Sequence, residues 1–332
     1  MISVLSIDGG GIRGIIPATY LVAFEKQTKK PVCELFDIIA GTSTGGILAA
    51  SLTVPNDQGK PKYSAEQIKA AYFEHGGAIF HQSLIRKIFT LGGLTRPIYS
   101  PRVLDEMLDT YLGNVRLHET LSEILVTAYD MTSDTPWFFK TSFAKDHREP
   151  ENNPLLTQVV RATTAAPTYF PPLSMEDHCM IDGGVFASNP ALCAYAQARV
   201  LYPHEEDFLV VSLGTGLQVQ SRPCTEVRNW GILQWAVPIS GVMLNSSNAT
   251  VNYQMNALAG TKNYERFQVP LPDNATGMDD ASMENMLMLD ALAQEGVKDD
   301  TQRINSVCRT LTARNSKIRT FKSFGSGKTL LA

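Results

Sequence analysis

Three short stretches of this chain hold side chains able to do chemistry on an ester or a phosphate. The first is Gly41-Thr42-Ser43-Thr44-Gly45-Gly46. It follows the apolar run Leu35–Ala40 and precedes Ile47–Leu52, so Ser43 sits on a turn between a strand and a helix. Such an elbow exposes the serine hydroxyl on a strained backbone, and glycines flank it because a side chain there would strike the neighbouring strand or helix. The chemistry offered is attack on a carbonyl through a covalent intermediate. The second stretch is Asp8-Gly9-Gly10-Gly11-Ile12-Arg13-Gly14, after one strand and before one helix. It has two readings. Gly9, Gly11 and Gly14 satisfy G-x-G-x-x-G, the dinucleotide fingerprint. Successive glycine N–H groups at a helix start also form a concave donor site for a developing oxyanion, with Arg13 adding charge or holding the loop. Arg13 inside the loop and the lack of a strand-ending acid at the expected distance disfavour the cofactor; with Ser43 in the same chain, the oxyanion reading leads. The third stretch is Asp182-Gly183-Gly184, either a plain turn or a base able to take the Ser43 proton. The histidines are His75, His81, His118, His147, His178 and His204. None stands at a late strand-end turn where a triad histidine belongs. His178, four residues before Asp182, reads as a surface-loop histidine.

These residues need a frame. Residues 2–7 and 208–213 are apolar and β-favouring, as in central strands, and 123–129 and 137–141 read as further strands. Helices are expected over 17–28, 64–75 (with a capping box at Ser64), 101–113, 155–164 and 190–201. Strands alternating with helices predict an α/β layered fold with a largely parallel sheet. Beyond residue 220 the pattern becomes mainly helical, over 228–259, 282–295 and 299–313. Residues 230–244 are apolar and contain Trp230 and Trp235. A helix packed on the core is the plainer reading of that run, and a membrane-facing surface the other.

Composition narrows the rest. The chain has 332 residues, 44% hydrophobic and 19% charged, with net charge -4, which argues against nucleic-acid polymers as partners. Five scattered cysteines have neither metal-ligand nor redox spacing. The N-terminus enters a strand without a basic n-region, so a signal peptide is not expected and a cytoplasmic location is. Gly325-Ser326-Gly327-Lys328-Thr329 lacks the first glycine of a P-loop and reads as a basic tail.

Taken in order, Asp8–Gly14, Gly41–Gly45, Ala165–Pro171, Asp182–Gly184 and Ser212–Gly216 resemble segments of the patatin-like phospholipases, over roughly residues 2–216. The resemblance implies a three-layer α/β/α fold with a mostly parallel central sheet. It divides the chain into a catalytic domain over 1–220 and a mainly helical segment, 221–332, packed on it. It implies a Ser–Asp dyad, with Ser43 as nucleophile and Asp182 as base, and an oxyanion hole from Gly10, Gly11 and Arg13. Gly9, Gly14, Gly41, Gly45, Gly183 and Gly184 are then the motif glycines. The implied activity is phospholipase A-type hydrolysis of membrane phospholipids, with no metal and no cofactor, at the inner face of the membrane. One bacterial branch of the family is switched on by cyclic nucleotides in anti-phage defence, so a cyclic nucleotide activator and a homo-oligomer are further partners to consider. An acyltransferase and a nucleotide-binding regulator without esterase activity are the alternatives.

Overall fold

The sheet is built around β1 (Ile2–Ile7), which is flanked by parallel neighbours on both sides. In a computed structural model the residues described are 1–81, 95–217, 221–236, 238–260, 263–272, 275 and 277–313. The tail read over 325–329 lies outside them. The strands that follow are β2 (Ile38–Thr42), β3 (Glu123–Asp130), β4 (Thr135–Lys140), β5 (Leu173–Met175), β6 (His178–Asp182), β7 (Phe208–Leu213) and β8 (Tyr264–Phe267). Their order is β5-β6-β3-β2-β1-β7-β8, with β4 paired to β3. β1, β2, β3, β7 and β8 run parallel; β4, β5 and β6 run against their neighbours.

The main helices are α1 (Ile15–Thr28), α2 (Thr44–Thr53), α3 (Ala65–Ile79), α4 (Arg102–Leu112), α5 (Leu156–Thr163), α6 (Gly184–Ala187), α7 (Ala191–Leu201), α8 (Ile232–Trp235), α9 (Pro238–Ala259), α10 (Met283–Asp299) and α11 (Thr301–Ala313). Strand alternation divides the core into two layers. Leu5, Ile7, Ile39, Val211 and Leu213 join the cluster that includes α1, α2 and α10 residues. Val4, Ile38, Ala40 and Val210 join Ala191, Ala194 and Ala198 of α7 and Met255 of α9 on the other face. Period-two burial of strand residues on both faces is what places helices on both sides. The fold is therefore a mixed α/β sheet between helical layers, as the sequence implies.

Most of the expected elements occur within a few residues of where the pattern puts them. Ser64 caps α3: its hydroxyl accepts from the Gln67 N–H while the Gln67 side chain accepts from the Ser64 N–H. The segment beyond residue 220 is not helical throughout. It supplies β8, the outer partner of β7, while α10 and α11 pack on α1.

One arrangement matters most for the site. β4 pairs with β3 from Leu125 to Asp130 and fills that edge. The other edge is shared. Parallel β2 pairs with residues 123–127 and ends at Thr42↔Thr127; antiparallel β6 pairs with 128–130 and ends at Asp182↔Ala128. Two strands thus meet end to end on one edge of β3, their C-terminal residues on consecutive partners.

The elbow glycines are set by close approach. A Cβ on Gly41 would stand 2.1 Å from the Gly45 carbonyl oxygen, with no flexible atom to yield. Gly77, on the exposed side of α3, has only the Ala281 carbonyl within reach, at 3.8 Å. Gly41→Ala is expected to lower the free energy of unfolding by about 3 kcal/mol or more, while Gly77→Ala raises it by about 0.5–1 kcal/mol, both read from urea unfolding.

Candidate active site

Parallel strands put their following loops at one end of the sheet, and ligands bind outside those ends where the strand order reverses. Here the reversal lies between β1 and β7, with β2 on the far side of β1. Three loops converge there: Asp8–Gly14 after β1, Ser43 after β2, and Gly214–Gly216 after β7. Thr215 Oγ1 donates to the Gly9 carbonyl at 2.7 Å. A Cβ on Gly9 would stand only 3.4 Å from Ser43 Cβ, so the glycine loop lies against the elbow.

Ser43 has φ 54° and ψ -121°, a left-handed conformation in a residue with a side chain. Such strain costs about 1–3 kcal/mol and persists only where the surroundings hold it. The Ser43 N–H donates to Thr163 Oγ1 of α5 at 2.8 Å. Its carbonyl accepts from the N–H groups of Gly46 and Ile47 as α2 begins. Thr42, one residue back, shares a 2.7 Å hydrogen bond with Thr127 Oγ1 and lies 2.6 Å from the Ala187 carbonyl as donor. A Cβ on Gly45 would fall 2.1 Å from the Ile7 carbonyl oxygen, so α2 starts in contact with β1.

Asp182 ends β6, 4% exposed. Its Oδ1 accepts from the Gly184 N–H at 2.7 Å. Burial pushes its carboxyl up to about 6, against hydrogen bonds from the Ser43 hydroxyl and the Gly184 N–H that pull it down. The structure thus brings Ser43 and Asp182 together although 139 positions separate them. A Cβ on Gly183 would strike Thr127, and one on Gly184 would stand 3.0 Å from Asp182 Oδ1.

The glycine loop runs from Gly10 into a 3-10 turn over Gly11–Gly14. Gly11 has φ 59°, and a Cβ there would lie 2.1 Å from the Met278 carbonyl oxygen. The Gly9 N–H donates to the Ser188 carbonyl and the Ile12 N–H to that of Met278. The N–H groups of Gly10 and Gly11 have no acceptor among the described residues. Arg13 lies beside Tyr169; its Nε is buried without a hydrogen-bond partner among the described residues, and burial lowers its pKa. Gly14 is pressed on Thr44 and Tyr72.

The glycine loop, Ser43 and Asp182 share a cavity of about 840 Å³. From Ser43 it extends along one face of α2 (Thr44, Ile47, Ser51) between the apolar faces of α3 (Ile68, Tyr72) and α4 (Leu104, Leu108, Leu112). At 1.5 Å per residue, Ser43 to Ser51 is roughly 12 Å of apolar wall. No histidine lines this cavity. His178 lies at the opposite end of β6 from Asp182, roughly 13 Å away by strand rise. It is not a surface-loop residue as the sequence suggested: its Nδ1 lies 2.8 Å from Asp130 Oδ2, its ring packs on Trp137, and it begins a strand. Among the described residues no three His, Cys, Asp or Glu side chains converge as metal ligands do.

Sequence reasoning missed one functional neighbour. Arg266 of β8 reaches across β7 to Asp8, with Nη1 on Oδ1 at 2.8 Å and Nη2 on Oδ2 at 2.5 Å, and a third bond from Nη1 to Ser212 Oγ at 2.7 Å. Asp8 is 1% exposed. Burial opposes charge on the guanidinium, yet Asp8 holds its pKa above the ordinary value. The two-point contact anchors the first residue of the glycine loop.

An elbow serine against a buried carboxylate, beside a long apolar cavity in an α/β sheet, fits a lipid acyl hydrolase. Comparison with known proteins agrees. A family model described as Patatin-like phospholipase matches residues 5–195. Patatin-like protein 2 of Oryza sativa subsp. indica is 34% identical over 86% of this chain and 81% of its own length. Patatin-like protein 2 of Arabidopsis thaliana is 33% identical over 92% and 85%. The chain belongs to the patatin-like phospholipase family. A potato relative, 34% identical over 92% of this chain and 88% of its own, is named probable inactive patatin-3-Kuras 1. Membership therefore leaves activity to be argued from the site itself. The solved structure of VipD from Legionella pneumophila is a distant likeness, 12% identical with a TM-score of 0.36 over 90% of this chain and 67% of that one.

The Asp8–Arg266 pair makes a sharp expectation. Arg266→Met leaves a buried, unpaired carboxylate and lowers stability by about 3–5 kcal/mol in urea unfolding, while the double replacement Asp8→Leu, Arg266→Met recovers most of that loss. Equal destabilisation by the single and double replacements would contradict the pairing.

Proposed function

We propose that this protein hydrolyses fatty-acyl esters of membrane phospholipids through a Ser43 acyl-enzyme, with Asp182 as the base. The observation that carries the reading is the meeting of Ser43, held at positive φ on its elbow, with a buried carboxyl raised to about 6, both lining one cavity that no histidine among the described residues lines.

The geometry supports each step of the reading. Ser43 Oγ attacks the ester carbonyl as its proton passes to Asp182. A carboxylate with a pKa near 6 is a stronger base than an exposed aspartate, yet stays ionised at neutral pH. The negative charge moves to the carbonyl oxygen, beside the unpartnered N–H groups of Gly10 and Gly11 at a helix start, with the Arg13 cation nearby. Protonated Asp182 then gives its proton to the leaving lysolipid alkoxide, and the acyl group remains on Ser43. Water enters, Asp182 takes its proton, the hydroxide oxygen bonds to the acyl carbon, and the fatty acid leaves as the proton returns to Ser43. The wall formed by Ile47, Ile68, Leu104 and Leu108 suits one acyl chain. The same loop read as a dinucleotide cradle has less support, because Ser43 and Thr215 occupy its two flanks.

The test is product analysis on mixed phospholipids. Wild-type protein is expected to release free fatty acid and lysolipid. Ser43→Ala removes the release, and Asp182→Asn lowers kcat about 10²–10⁴-fold. In the wild type kcat/KM falls tenfold per pH unit below about 6, as Asp182 takes up a proton. Because the carboxyl is raised from 3.8 in the unfolded chain to about 6 in the fold, its ionisation opposes folding. That cost, about 3 kcal/mol, is present in full above pH 6 and vanishes below about pH 4. Asp182→Asn is therefore expected to raise the melting temperature at pH 8 while it removes turnover. A variant that loses turnover only because it unfolds, or a single histidine replacement as severe as Asp182→Asn, would overturn the dyad.

A further inference from the structure

The chain between β7 and β8 carries an unusual surface. Residues 229–261 contain no Asp, Glu, Lys, Arg or His, in a protein that is 19% charged. A stretch without charge is ordinary inside a core, yet here only Met255 of α9 is buried and none of α8 is. Ile232 is 89% exposed and Leu233 86%, and Trp235, Ile239, Val242 and Met243 are exposed as well. Within α9, positions 239, 242 and 243 recur at intervals of three and four, the spacing of one helical face, and α8 just before it exposes Ile232, Leu233 and Trp235. Scattered apolar side chains on a surface are normal; a contiguous, uncharged stripe of large ones marks a contact surface.

Its position identifies what it contacts. Val242 and Met243 face solvent and also line the cavity that holds Ser43. α9 packs on α6, the turn that follows Asp182, and Ser247 Oγ bonds the Phe186 carbonyl there. The stripe is thus continuous with the mouth of the cavity. Beside it, Trp230 and Trp235 stack edge to face with centroids 5.2 Å apart, and the Arg222 guanidinium lies 5.8 Å from the centre of the Trp230 ring. Tryptophan with a neighbouring arginine suits the boundary between acyl chains and headgroups.

We propose that α8 and the first half of α9 are the surface by which this protein seats on a lipid bilayer, with Ile232 and Leu233 entering the acyl region and the cavity mouth facing the lipid. The proposal rests on the reading of the cavity as a phospholipid-hydrolysing site. A second copy of the chain bound to the same stripe would cover that mouth, whereas a bilayer would feed it. The protein's net charge of -4 gives no general attraction to anionic lipid, so seating is apolar and insensitive to salt. The arrangement differs from a spanning segment: among the described residues no helix is long and apolar enough to cross a membrane.

The experiment uses the full chain and unilamellar vesicles of phosphatidylcholine. Binding is measured by flotation with Ser43→Ala protein, so that the result is independent of hydrolysis, in the presence and absence of Ile232→Asn with Leu233→Asn. Both side chains are solvent-exposed, and neither lines the cavity. The expected result is at least a tenfold loss of vesicle partitioning in the substituted protein, with partitioning of its parent unchanged by added salt. With Ser43 restored, the double replacement lowers turnover on vesicles to the same degree and leaves turnover on a water-soluble short-chain ester unchanged. Unaltered partitioning, or a fall in oligomer mass by sedimentation without loss of partitioning, overturns the proposal. If the wild type cleaves no lipid while the loss of partitioning stands, the hydrolase reading fails and the docking surface survives.

Discussion

The site depends on one edge of β3 shared by two strands. β2 arrives parallel and stops at Thr127; β6 arrives antiparallel and stops at Ala128. Backbone hydrogen bonding therefore brings the ends of two chain segments to adjacent rungs of one ladder, and the residues there are the Ser43 elbow and Asp182. The register leaves no freedom. A slip of β6 by a single residue would turn Asp182 to the opposite face of the sheet. Gly183 closes on Thr127, and Thr42 bonds the same residue. Thr127 is thus the point against which both halves of the site are held.

Two local costs are built into this arrangement. Ser43 sits at positive φ, and Asp182 is buried with a raised carboxyl. Neither is stable by itself, and each is offset by the sheet around it: β1, β2 and β3 form the centre of both core clusters. The segment beyond residue 220 contributes as well. Arg266 on β8 neutralises Asp8, the residue that opens the glycine loop, so that loop is anchored from an outer strand. A charge pair buried in this way contributes little net stability, but removing one partner leaves the other unsolvated.

How much of this was legible depended on whether the determining contact is local. The elbow and the glycine loop were readable because the close approaches at Gly41, Gly45 and Gly11 exclude side chains and so write glycine into the chain. β1 and β7 were readable as buried apolar runs. β6 was not read as a strand: it is five residues long and half-buried, and it pairs with β3 through only three rungs. Its meeting with β2 lies in a register that no local pattern encodes. The partnership of Asp8 with Arg266 joins residues 258 positions apart, and neither carries a local mark of it. Residues 230–244, most plainly read as a core-packed helix, are instead a short helix and the start of α9, largely exposed. Hydrophobicity alone does not tell a core face from an exposed one.

The most direct test of the account is a crystal structure of the protein after reaction with a long-chain alkyl fluorophosphonate, whose phosphorus mimics the tetrahedral carbon. The expected adduct has phosphorus bonded to Ser43 Oγ, a phosphoryl oxygen accepting from the N–H groups of Gly10 and Gly11, Asp182 beside the ester oxygen, and the alkyl chain lying between α3 and α4. An adduct on any other side chain, or a phosphoryl oxygen turned away from the glycine loop, would contradict it.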